Sequence, residues 1–163
     1  MEKEIIVRKA VAEDAEDIWK LVHELAIFER APQEHTVSVE QVEADLRNNL
    51  FVAFVALCNE KVAGMALCYP IYSTWKGASL YLEDIVVNEN YRRNGIGSKL
   101  FSAVIQYAKD ENAGRLGWQV LDWNAPAIEF YKKYNAVLDN EWITCRLTKE
   151  QLQNPLILAN ESI

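Results

Sequence analysis

Hydrophobic positions along the first half of the chain switch between two periods. Ile5, Ile6 and Val7 form a short apolar run that predicts a first strand. Ile18, Leu21, Val22 and Leu25 then recur at i, i+3, i+4 and i+7, one face of a helix. Glu13 and Asp14 precede that face, where acids favour a helix start. Ala31-Pro32-Gln33 interrupts the helix, and residues 39–49 predict a second one, with Val42 and Leu46 four apart. Residues 51–58 and 62–71 are dense apolar runs joined by a tight Asn59-Glu60-Lys61 turn, which reads as a β-hairpin. Residues 79–87 predict a third central strand.

The second half continues the alternation. Gly97, Leu100, Phe101, Val104, Ile105 and Ala108 share a helical face, and Gly114 lies shortly beyond its end. Residues 116–121 predict another strand. Asn124 suits the N-cap of a helix reaching Tyr134, with Pro126 tolerated in its first turn. Asn135 can take the left-handed conformation that closes a helix. Residues 142–147 predict a last strand, and Asn154-Pro155 stops a terminal helical turn. The order β-α-α-β-β-β-α-β-α-β predicts an α/β (α+β) fold, a mixed central sheet with helices on both faces. Without repeats or linkers, residues 1–153 read as one domain and residues 154–163 as a tail.

Composition narrows the function classes. The chain has 163 residues, enough for a self-sufficient core, and a formal net charge of −7. That charge opposes tight non-specific nucleic-acid binding. The three cysteines, Cys58, Cys68 and Cys145, are odd in number and far apart, so neither a disulfide framework nor a zinc site is expected. Their usage suits a reducing, cytoplasmic setting. The start Met1-Glu2-Lys3-Glu4 has no apolar signal core, and no stretch reaches the length of a membrane span.

Three segments carry candidate chemistry. The first is Tyr91-Arg92-Arg93-Asn94-Gly95-Ile96-Gly97-Ser98, between the third central strand and the long helix. Its glycines let the backbone turn tightly and approach a ligand. Successive N–H groups at a helix start converge on one spot, with the positive end of the helix dipole behind them. Two arginines add phosphate-pairing charge. The loop lacks the Gly-Lys-Ser/Thr ending of a Walker loop and the third glycine of the dinucleotide fingerprint. An ordinary strand-to-helix turn is the competing explanation.

The second segment is Glu83-Asp84 within the strand of residues 79–87. Alternation puts Glu83 on the face of Tyr81, Ile85 and Val87, and Asp84 on the face of Leu80, Leu82 and Val86. A carboxylate among such neighbours is costly unless paired or open to a cleft, and partial burial raises its pKa toward that of a base. For Glu83 a base and a structural acid held by backbone amides stand level. For Asp84 the structural reading is favoured.

The third segment is Asp122-Trp123-Asn124-Ala125-Pro126-Ala127-Ile128-Glu129-Phe130-Tyr131. Asn124 can cap a helix and also offer its amide to a ligand. Tyr131 follows seven residues later, two helical turns on, which places it above the same end-face of the sheet. A phenol there can protonate a leaving thiolate, although a core tyrosine is the commoner case. His23 and His35 each read as solitary, so no metal is expected. Tyr69, Tyr72, Trp75, Tyr81, Trp118, Trp123 and Trp142 read as core or cleft lining.

Together these segments resemble the GNAT acetyltransferase superfamily, through the Arg-x-x-Gly-x-Gly loop at Arg92 to Gly97, the strand before it, and the Asn-then-Tyr helix. The resemblance runs from Ile5 to about Leu152. Tyr72-Ser73-Thr74-Trp75-Lys76-Gly77, Leu80-Tyr81-Leu82-Glu83-Asp84 and Leu121-Asp122-Trp123-Asn124 look like the diamine (spermidine/spermine-type) branch, and within it the thialysine-acetylating members.

The resemblance implies a set of roles. Amides of Arg93, Asn94, Gly95, Ile96, Gly97 and Ser98, beside Arg92, would bind the acetyl-CoA pyrophosphate. Backbone of Ile85, Val86 and Val87 would hold the pantetheine arm, and Asn124 would contact it. Tyr131 would protonate the departing sulfur, and Glu83 would act as base through water. Phe28, Glu29, Trp75, Glu83 and Asp84 would line the acceptor site. The implied acceptor is a small-molecule amine, with no metal, nucleic acid or membrane involved, and relatives are usually homodimers. Polyamine-acetylating relatives carry an aspartate just before the Trp75 segment, where this chain has Ser73 and Thr74. Two alternatives stand: a non-catalytic acyl-CoA-binding sensor, and a protein or peptide N-acetyltransferase.

Overall fold

The expected hairpin organises the sheet. In the computed structural model, which describes residues 4–154, five strands lie side by side in chain order. They are β1 (Ile5–Lys9), β2 (Val52–Cys58), β3 (Lys61–Ser73), β4 (Gly77–Val87) and β5 (Leu116–Gly117). The first three pairings are antiparallel and the last is parallel. Asn59 and Glu60 both take positive φ, 50° and 65°, the conformation that matches a two-residue turn to strand twist.

The chain divides into two compact units, one through Gln119 and one from Val120. In the first unit α1 (Ala15–Phe28) and α2 (Val39–Arg47) cover one face of the sheet. Ile18 and Leu21 of α1 pack on Ala53, Val55, Met65 and Val86, with Val42 and Leu46 of α2 beside them. Each such side chain stabilises the fold by about 1.5–3 kcal/mol when fully buried. Asp14 ties β1 to the start of α1. Arg8 grips both of its oxygens, at 2.7 and 2.9 Å, and the Val11 N–H donates to it at 2.8 Å.

The opposite face carries α3 (Ile96–Asp110). Gly64 of β3 makes its close approach possible. A Cβ there would meet the Val86 carbonyl oxygen at 2.8 Å and Ile96 Cγ2 at 3.2 Å. Farther along, Phe54 meets Tyr107 edge-on, with ring centroids 5.9 Å apart. One mixed sheet with helices on both faces is the expected α/β (α+β) architecture.

The second unit contains α4 (Ala125–Lys132) and α5 (Lys149–Gln153). Asn124 caps α4, its side chain accepting from the Ala127 N–H at 3.3 Å, and Asn135 takes φ 55° as expected. Two expected strands differ. The strand at 116–121 is limited to Leu116–Gly117, and residues 142–147 form none. Trp142 and Ile143 are 76 % and 87 % exposed. Apolar β-branched and aromatic residues favour a strand only where another edge supplies hydrogen bonds, and none pairs with this segment among the described residues. The tail from 155 lies outside the described residues. No helix among those described is long and apolar enough to cross a membrane.

Candidate active site

A bulge in β4 builds the acidic part of the site. Leu67 pairs with Asp84 and the next residue, Cys68, pairs with Leu82, so Glu83 has no partner on β3. The extra residue corrects the expected alternation. Asp84 leaves the face of Leu80 and Leu82 and joins that of Tyr81, Leu67 and Tyr69 while staying with Val86. Glu83 turns to the same neighbourhood, where the Tyr69 hydroxyl donates to its Oε2 at 2.6 Å. The Tyr69 and Tyr81 rings lie 5.5 Å apart.

Electrostatics single out Asp84. Burial, then the negative charges of Glu83 and Glu29, push the Asp84 carboxyl up to about 7. Glu29, at the C-cap of α1, is also raised, by burial. Among the described residues, none of these three carboxylates forms an ion pair. Asp84 is partly buried while Glu29 and Glu83 are exposed. A partly buried anion without a counter-charge is costly, and a cationic ligand would relieve that cost.

The glycine loop has an anion-binding shape. Asn88 ends β4, its side chain accepting from the Asn90 N–H and donating to both oxygens of Glu24 on α1, at 3.0 and 3.1 Å. Arg92 is extended, Arg93 takes φ 64° and Gly95 takes φ 74° as the N-cap of α3. A left-handed residue with a Cβ costs about 1–2 kcal/mol, so Gly95 is the inexpensive choice and Arg93 a strained one. The Asn94 amide donates to the Tyr91 and Arg92 carbonyls at 2.9 and 3.1 Å. Ile96, Gly97 and Ser98 then begin α3, where N–H groups have no intrahelical acceptor.

The outer edge of β4 is open beside this loop. β5 pairs only through Leu80–Leu116 and Tyr81–Gly117, so no described strand lies against the outer edge of Leu82 to Val87. Ile85, Val86 and Val87 thus offer backbone groups in extended form, leading from the carboxylates to the loop.

Other expected residues fall in several places. Phe28 ends α1 beside Glu29, 44 % exposed. Trp75 stands on the turn between β3 and β4, 82 % exposed, and Tyr72 is 78 % exposed. These rings, with Trp123 and Trp142, are exposed rather than part of the core. Asn124 and Tyr131 belong to the second unit, and Tyr131 is buried with its ring edge-on to Phe130, 5.2 Å away. Burial pushes the Cys68 thiol up to about 12, which makes it a poor nucleophile.

His23 and His35 are not solitary. Their Nδ1 atoms lie 3.3 Å apart, and both rings pack on Trp19 with centroids 5.2 and 5.0 Å away. Among the described residues, no group of three or more His, Cys, Asp or Glu is placed to hold a metal. The sequence reading missed the contact of Tyr69 with Glu83, the close approach at Gly64 and this histidine pair. Alternate residues Leu67 and Tyr69 were visible as one face of β3, but the bulge that turns Glu83 toward them was not.

A bulged strand carrying acids without an ion pair, an open strand edge and a glycine-bearing helix start follow one another along the first unit. The acetyltransferase (GNAT) family matches residues 15–136, and the chain belongs to that family. It is an acetyl-CoA-dependent N-acetyltransferase. It is 35 % identical over 136 residues to a thialysine N-epsilon-acetyltransferase of Caenorhabditis elegans, covering 82 % of this chain and 85 % of that one. The Mus musculus thialysine N-epsilon-acetyltransferase is 34 % identical over 160 residues, covering 90 % and 94 %. An aminoglycoside N-acetyltransferase solved with CoA shares the fold at TM-score 0.73, with 15 % identity and coverage of 90 % and 97 %.

Proposed function

We propose that the protein acetylates a primary amine of a small molecule, a thialysine-like amino acid, diamine or polyamine. The observation that carries this reading is the meeting of Glu29, Glu83 and Asp84 without an ion-pair partner, next to an open strand edge. Such a group of acids attracts an ammonium. The names of the relatives favour a thialysine-like acceptor. Phe28, Glu29, Trp75, Glu83 and Asp84 line the acceptor side in this proposal. The exposed Tyr72 and Trp75 fit a homodimer in which a second copy covers them, and the setting is cytoplasmic.

The donor lies along the other half. Amides from Arg93 to Ser98, with Arg92, take the pyrophosphate, the edge of Ile85 to Val87 takes the pantetheine arm, and Asn124 contacts it. A lysine-like amine has pKa about 10.4, so only about one molecule in a thousand is neutral near pH 7.4. Glu83 accepts the ammonium proton through water. The freed nitrogen attacks the thioester carbon directly, and the oxyanion is stabilised by backbone N–H groups of the Glu83 to Val87 strand. The C–S bond then breaks, Tyr131 gives its proton to the leaving thiolate, and the surplus proton on the amide nitrogen passes through water to the Tyr131 phenolate.

Acetyl-CoA turnover with thialysine, lysine, diamines, polyamines and a lysine peptide tests the proposal. Highest kcat/KM with thialysine supports it. Greater activity on the peptide than on free amines would replace it with protein acetylation, and binding without thiol release for every amine would leave an acyl-CoA sensor. Glu83→Gln must move the pH–rate profile upward, and an unmoved profile removes Glu83 as base.

A further inference from the structure

We infer that Tyr69 is a positioning residue for acetyl transfer: its phenol holds and aims the Glu83 carboxylate. This rests on the reading of Glu83 as base. The bulge sets Glu83 and Asp84, adjacent in sequence, into one neighbourhood. Tyr69 fixes the orientation of Glu83 there. Its hydroxyl donates to Glu83 Oε2 at 2.6 Å, within the range of an O–H···O⁻ bond. The donor is fixed in place, because Tyr69 stands opposite Tyr81 on paired strands with their rings in contact.

Tyr69 is suited to donate this bond without losing its proton. Burial and the Glu83 charge both drive the phenol upward from its ordinary value of 10.0. It is thus a poor proton source for a leaving thiolate, a role that stays with Tyr131. The negative charge of ionised Glu83 in turn helps hold Asp84 near neutral pH. Tyr69 and Glu83 act as a unit: a fixed donor and an acceptor aimed to receive the ammonium proton.

Removing the donor has a signed consequence. In Tyr69→Phe the Glu83 carboxylate loses the hydrogen bond that favours its ionised form. The acid limb of kcat/KM against pH then moves upward by about one unit, a roughly tenfold loss on the acid side of both limbs that fades above them. A purely structural tyrosine would lower kcat/KM in parallel at every pH.

The experiment measures kcat/KM for acetyl-CoA and thialysine from about pH 6 to about pH 10. It compares the parent protein, Tyr69→Phe, Glu83→Gln and the double variant. Action through Glu83 predicts that Tyr69→Phe adds less than about twofold on the Glu83→Gln background. A parallel loss at all pH values, or full additivity in the double variant, overturns the role of Tyr69. An unmoved Glu83→Gln profile overturns the base assignment as well. A moved Glu83→Gln profile beside an unmoved Tyr69→Phe profile overturns the Tyr69 role alone. Proton NMR of the parent protein needs no variant to fold: the Tyr69 hydroxyl proton must appear as a slowly exchanging, downfield hydrogen-bonded signal, and a freely exchanging hydroxyl overturns the inference.

Discussion

Replacing Asp84 by Asn should make the protein more stable at alkaline pH while impairing it as an enzyme. The Asp84 carboxyl is raised from 3.8 to about 7, chiefly by burial and then by Glu83 and Glu29. A raised carboxylate binds its proton more tightly in the folded chain than in the unfolded one. The folded state therefore loses stability as pH climbs from the unfolded pKa to the folded one. A gap of about three units corresponds to about 4 kcal/mol in full, of which roughly 2–3 kcal/mol falls between pH 5 and pH 8. Asn carries no charge at either pH, so the variant escapes that loss. Urea unfolding of both proteins at the two pH values measures it: stability relative to the parent should rise by roughly 2–3 kcal/mol from pH 5 to pH 8. A difference that stays constant with pH would refute the burial of Asp84 as a titrating acid. Turnover should fall in the same variant, a trade expected where a site holds destabilised charge.

Three further outcomes follow from other parts of the chain. Tyr131→Phe should lower turnover at least about tenfold with little change in acetyl-CoA affinity, and steady-state kinetics with a binding titration separate the two. Gly64→Ala forces a Cβ against the Val86 carbonyl at 2.8 Å, and its cost of about 1–3 kcal/mol should appear as a Tm lower by roughly 3–10 °C. His35 is held below its ordinary 6.5 by burial and by His23, so the unfolded chain takes up a proton that the folded one resists. Stability should fall as pH drops through that value, and His35→Gln should flatten the dependence in urea titrations at pH 7 and pH 5.

What was legible in the sequence was whatever depended on local pattern. The i, i+3, i+4 spacing of Ile18, Leu21 and Leu25 marked α1, the Asn59-Glu60 turn marked the hairpin, and Asn124 marked the start of α4. The glycine loop announced itself because Gly95 and a helix start act over a few residues. The bulge at Glu83 was hidden, since a single unpaired residue depends on the partner strand and leaves no trace in β4 alone. That one residue moved Asp84 to another face and turned a structural expectation into a titrating group. The His23–His35 contact was hidden for the same reason, because α1 and the turn after it are brought together by tertiary packing. Residues 142–147 show the opposite error: Trp142-Ile143 looks like a strand, yet a strand requires an edge to pair with.

The open edge of β4 has a cost in solution. Unpaired backbone along Leu82 to Val87 is a template on which another chain can add a strand, the usual route to edge-to-edge aggregation. The protein limits the exposure at both ends. The bulge at Glu83 disrupts regular pairing at one end, and Arg92 Nε occupies the Val87 carbonyl, at 3.2 Å, at the other. A donor molecule lying in that gap would act as a substitute strand. Acetyl-CoA should then slow amide hydrogen exchange at Ile85 to Val87 and suppress self-association at high protein concentration, so that the substrate also serves as a guard against the wrong partner.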